Sequence, residues 1–103
     1  MIATQIAKII ANFILFLDTT DDEILDPDVA VQMMEGLAGD LQTLDKEFLR
    51  SLIDAFPVIA SEYSDEAQQL VRNISRDFYL EEALAADDPV RLAELAAQRD
   101  AED

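Results

Sequence analysis

Six of the eleven residues from Asp18 to Asp28 are acidic (DTTDDEILDPD), and this is where the chain concentrates oxygen ligands. A calcium loop of the EF-hand type needs oxygens at its first, third and fifth positions, Gly at the sixth and a bidentate Glu at the twelfth. Counting from Asp18, the third and fifth are Thr20 and Asp22, but the sixth is Glu23 and the twelfth is Val29. Both diagnostic positions fail. The simpler reading is a solvated loop whose carboxylates favour the N-terminus of the helix that follows. The chain has no His and no Cys. That inventory excludes Ser-His and Cys-His nucleophiles, thiolate metal sites and disulfides.

Carboxylates alone can still hold magnesium. All-α nucleotide pyrophosphohydrolases do so with EExxE and ExxD motifs on adjacent helices. Glu23-Ile24-Leu25-Asp26 resembles the second motif. Glu81-Glu82 resembles only the start of the first, because Ala85 stands where its third carboxylate belongs, and the order along the chain is reversed. A diiron bundle would need Glu-x-x-His pairs. A glycosidase needs only two carboxyl groups, a requirement that twenty-three acids meet by number alone. Arg72 and Arg76 stand one helical turn apart and could cradle a phosphate. The nearby Asp77, Glu81 and Glu82 make ion pairs the expected alternative.

The segment Asp77-Phe78-Tyr79-Leu80-Glu81-Glu82 sets two aromatics between carboxylates. Aromatics are enriched at the centres of protein interfaces and charges at their rims. With no catalytic set, the candidate residues are therefore partner-binding ones. They are Asp18, Asp21, Asp22, Glu23 and Asp26 in the first acidic segment, and Asp77, Phe78, Tyr79, Glu81 and Glu82 in the second. The competing assignment is that Phe78 and Tyr79 complete the core.

The elements that must carry these residues are helices. Ile2, Ile6, Ile9, Ile10, Phe13, Phe16 and Leu17 recur at spacings of three and four, and the stripe they form predicts a first helix buried centrally or by another subunit. Its run IIANFILFL is shorter than the ~20 residues a membrane span needs, and no basic start marks a signal peptide. Asp26-Pro27 starts a second helix to about Leu44, interrupted by Gly36 and Gly39, for which close approach of another helix or simple tolerance are the two explanations. Asp45 caps a third, with a kink or break expected near Phe56 because Pro57 lacks a donor. Ser64 opens a fourth, a break falls around Asn73 to Asp77, a short fifth follows, and Asp88-Pro89 launches a last helix to about Arg99, leaving 99–103 as a frayed acidic tail. Period-two patterns are absent, and Gly and Pro number only two and three. The expected fold is all-α, a single-domain bundle of five to six helices with short loops spanning 1–103.

Seven bases against twenty-three acids leave a formal charge of −16. Nucleic acid and anionic lipid repel such a chain, and a basic protein attracts it. Crowding of like charges is expected to raise carboxyl pKa values. Small, acidic, helical chains without His or Cys resemble bacterial immunity proteins and phage-encoded inhibitors in size, charge and helix content. The resemblance implies an inhibitor that neutralises a basic toxin, nuclease or nucleic-acid-binding protein. No enzymatic activity, cofactor or metal is expected, because no catalytic or ligand motif is complete, and the charge argues against nucleic acid or membrane as partner. A cytoplasmic location is expected. The alternatives are an adaptor or structural subunit that homodimerises or joins an assembly through its first helix, and a magnesium-dependent nucleotide hydrolase.

Overall fold

A computed structural model describes residues 2–102 of the chain. Seven helices follow one another: α1 (Ile2–Thr19), α2 (Pro27–Gln42), α3 (Lys46–Ala60), α4 (Asp65–Arg72), α5 (Ile74–Asp77), α6 (Leu80–Leu84) and α7 (Pro89–Glu102). There is no strand among the described residues. The fold is an all-α bundle with short connections. Its count exceeds the expected five to six because the irregular stretch after Arg72 resolves into two short helices.

Helix α3 is the organising element. It packs against α1, α4, α5 and α6. Its buried residues Leu49, Leu52, Ile53, Ala55, Phe56, Ile59 and Ala60 form most of one core with Ile10, Ile14, Val71, Ile74 and Leu80. Pro57 does not break this helix. It sits inside α3 on an exposed position, and the buried Ile59 and Ala60 continue beyond it. Burial of side chains of that size offsets the ~3 kcal/mol that an interior proline costs.

The first helix corrects the sequence reading in phase. Its buried residues are Ala3, Ala7, Ile10, Ala11, Ile14 and Leu17. Ile2, Ile9, Phe13 and Phe16, expected inside, are 71%, 64%, 37% and 50% exposed. Small alanines on the packed face let two helices approach closely, and the larger side chains are left outward. Asn12, which interrupts the apolar run, accepts a hydrogen bond of 2.7 Å from the Tyr63 hydroxyl just past the end of α3.

Local chemistry sets the helix starts. Asp26 accepts from the Asp28 N–H at 2.8 Å and Pro27 is the first residue of α2. Asp45 accepts from the Phe48 N–H at 3.2 Å, and Asp88 from the Arg91 N–H at 3.1 Å. Gly36 and Gly39 have no neighbour within 4 Å of where a Cβ would stand. They serve no close approach, so tolerance is the explanation that survives. The last helix does not fray at Arg99. It runs to Glu102, which pairs with Arg76 at 2.7 Å; Asp103 lies outside the described residues.

The molecule is elongated, 45 × 31 × 25 Å, with a radius of gyration of 14.2 Å, against about 13 Å for a compact domain of this length. Its accessible surface is 6630 Å², against about 5,800 Å² expected for a monomer of 11.5 kDa.

Candidate functional site

The turn between α1 and α2 gathers the first acidic group. Thr20 extends the helical bonding of α1 by one residue, its N–H donating to the Phe16 carbonyl at 3.1 Å. Asp21 then closes an Asx turn by accepting from the Glu23 N–H at 3.0 Å. Asp18, Asp21, Asp22 and Glu23 are all exposed, and Asp26 is spent on the cap of α2. Between them runs a groove of 320 Å³ whose apolar walls include Leu17, Leu25, Val31 and Met34, with Asp18, Asp22 and Glu35 also lining it.

The structure treats the second group differently. Phe78 is partly buried and packs against the core, in line with the competing assignment. Tyr79 is 51% exposed and adopts a left-handed conformation, φ 57°, which separates α5 from α6. Glu81 binds Arg50 at 3.2 Å, and Glu82 binds Arg99 at 2.7 Å. These two carboxylates join α6 to α3 and α7 rather than standing free at a surface. Asp77 ends α5 and is exposed. Among the described residues, the groove beside the first group contains no member of the second.

The cations are partitioned just as sharply. Residues 9–45 contain nine acids and neither Lys nor Arg. Among the described residues, six cations are paired: Lys8 with Glu62, Lys46 with Asp87, Arg50 with Asp54 and Glu81, Arg76 with Glu102, Arg91 with Glu94, and Arg99 with Glu82. Arg72 and Arg76 do share one groove, of 410 Å³, but carboxylates line it with them: Glu81, Glu82 and Glu102, the last paired with Arg76 at 2.7 Å. No carboxylate from Asp18 to Asp45 has a cation within 4.0 Å among the described residues.

Ion pairing, not crowding, governs the displaced carboxyls. The hydrogen bond from Arg99 holds Glu82 below its ordinary value, and that from Lys46 does the same for Asp87. Both shifts run opposite to the expectation from like-charge repulsion. The bond to Asp54, with that to Glu81, raises the Arg50 guanidinium above its ordinary value. Burial raises the Tyr63 phenol.

The residues that could bind a metal are likewise dispersed. Among the described residues, no three carboxylates converge on a point. Glu23 and Asp26 lie in the turn before α2, and Glu81 and Glu82 lie on α6 against arginines.

The feature that sequence reasoning missed is the outward row Ile2, Ile9, Phe13 and Phe16 on α1. Its signal was available in the alanines: Ala3, Ala7 and Ala11 share a face that only a close helix neighbour can fill. By length and composition α1 could also cross a membrane, yet one of its faces is committed to the core with α3.

Comparison with known proteins adds no relative: no protein family, curated protein or solved structure matches the chain.

Proposed function

We propose that this chain is a non-enzymatic protein-binding module of inhibitor or immunity type, acting in the cytoplasm on a basic toxin, nuclease or nucleic-acid-binding protein. The observation that carries this reading is charge segregation. One continuous third of the chain, residues 9–45, holds nine acids and no base, while six of the seven cations, all elsewhere, are taken up in ion pairs among the described residues. Carboxylates left without internal cationic partners on helical scaffolding imitate a phosphate array and steer a cationic partner toward it.

The surface area supports a binding role. The excess over a compact monomer is roughly 800 Å², comparable with what one partner of a standard interface buries. The exposed row on α1 also favours a second reading, an adaptor or structural subunit that homodimerises or joins an assembly through that helix. The −16 charge of each copy opposes self-association, which places the basic partner first.

The test is co-purification from native extract with the wild-type chain and with a triple variant Asp21→Asn, Asp22→Asn, Glu23→Gln. A basic protein retained by the first and released by the second, with retention falling as salt rises, is the expected result. Retention of a partner indifferent to both changes overturns the reading.

A further inference from the structure

We infer that the outward face of α1, together with the groove at its C-terminal end, binds a cationic amphipathic helix of the partner; this rests on the acidic-module reading and adds the shape of what is bound. At 100° per residue, Ile2, Ile9, Phe13 and Phe16 fall within about 60° of one another around α1. All four are more than a third exposed. Single exposed apolar side chains are ordinary on a protein surface, but a row extending about 21 Å along one helix is a contact surface. Its straightness suits another helix, which offers apolar side chains at spacings of three, four and seven residues.

Charge identifies the occupant. The row leads at its C-terminal end, through Thr20, into the acidic turn of Asp21, Asp22 and Glu23, while Asp18 stands on the opposite side of α1. Lys8, the one cation on α1, is held by Glu62 at 2.9 Å. A second copy of this chain would bring a second charge of −16 to the contact. An anionic lipid surface meets the same repulsion. A helix with Leu or Phe on one face and Lys or Arg flanking it meets neither. The groove has the composition to receive one such side chain: apolar walls at Leu17, Leu25 and Met34 for the methylene stem, and Asp18, Asp22 or Glu35 for the charged head.

The probe is an 18-residue Leu/Lys peptide of helical period, titrated against the chain at moderate salt. A Ser/Lys peptide of equal charge is the control. The double variant Phe13→Ser, Phe16→Ser removes the centre of the face at exposed positions, and circular dichroism verifies that it folds. Binding of the Leu/Lys peptide that falls at least tenfold in the double variant, and at least tenfold when Ser replaces Leu, supports the inference. Equal affinity for both peptides, or no loss in the double variant, overturns it. So does sedimentation of the wild-type chain as a dimer that the double variant dissociates, or adsorption to phosphatidylglycerol vesicles through these phenylalanines. If a natural basic partner is lost from the acidic-turn variant but kept by the Phe13/Phe16 variant, the module reading stands and this inference fails.

Discussion

Arg99 and Glu82 meet in a bidentate pair, Nε at 2.7 Å and Nη2 at 3.2 Å from the two carboxylate oxygens. The same guanidinium lies 3.9 Å above the Tyr79 ring and donates through Nη2 to the Arg76 carbonyl at 2.6 Å. Helix α7 buries only one residue, Leu95. This polar tie therefore carries an unusual share of its attachment. Glu82→Gln is expected to cost about 1 kcal/mol, the scale of a partly buried charge-assisted bond. Hydrogen exchange should quicken within residues 89–102 before it quickens in α3.

The same pair predicts a pH dependence. The folded pKa of Glu82 lies below its ordinary value, chiefly through the Arg99 hydrogen bond. Its stabilisation is thus fully present above the unfolded pKa, near 4.5. It is lost as pH falls through the lower, folded value. Denaturant midpoints should decline below that point in the wild type and decline less steeply in Glu82→Gln. Parallel declines would show that Glu82 is not the group responsible.

Burial should decide what a phenylalanine is worth. Phe56 is fully buried in α3, and Phe56→Ala should cost about 3–5 kcal/mol, enough to unfold a marginal domain. Phe13 and Phe16 are 37% and 50% exposed. Phe16→Asp should leave the isolated chain folded, with a loss of roughly 1 kcal/mol or less. Unfolding curves for the two variants separate these cases directly.

Helix starts and helix class were legible because their chemistry is local. Asp26, Asp45 and Asp88 each cap in the structure as the residue patterns implied. The phase of α1 was not legible in the same way. Apolar side chains surround most of that helix, so its largest residues do not identify the face that α3 takes. The three alanines do, but only once a neighbour is known to come close. Pro57 misled in the opposite direction, since tertiary burial of Ile59 and Ala60 prolongs a helix that local chemistry would end. Of the candidate residues, Asp18, Asp21, Asp22, Glu23 and Asp26 lie together around the turn between α1 and α2 because they are near neighbours in sequence. Glu81 and Glu82 looked alike with it in composition, and only three-dimensional proximity to Arg50 and Arg99 distinguishes them.

Caps and glycines offer a graded test of these local contributions. Asp26→Ala removes a side-chain acceptor and should cost about 1 kcal/mol. Ser64 makes no side-chain cap bond at the start of α4, so Ser64→Ala should be nearly neutral. Gly36→Ala and Gly39→Ala enter open space in a helix with no positive φ and should each stabilise by up to about 1 kcal/mol. Thermal melts of the four variants should rank them in that order, with the glycine variants above wild type.

Salt should act on folding and binding with opposite sign. A chain of charge −16 repels itself, most strongly where residues 9–45 hold nine acids without a base. At 0.15 M salt the screening length is about 8 Å, shorter than this molecule in every dimension. Raising salt from 0.02 to 0.5 M at neutral pH should therefore raise the melting temperature, because long-range repulsion fades while the close pair of Arg99 with Glu82 is screened less. The same change should slow association with a basic partner, since steering acts across the distance that salt screens. Dissociation should respond less, being governed by the apolar contacts on α1. The triple variant in the acidic turn should lose part of both salt responses. A melting temperature unmoved by salt, with an association rate equally unmoved, would mean that the unpaired acids neither strain the fold nor attract the partner.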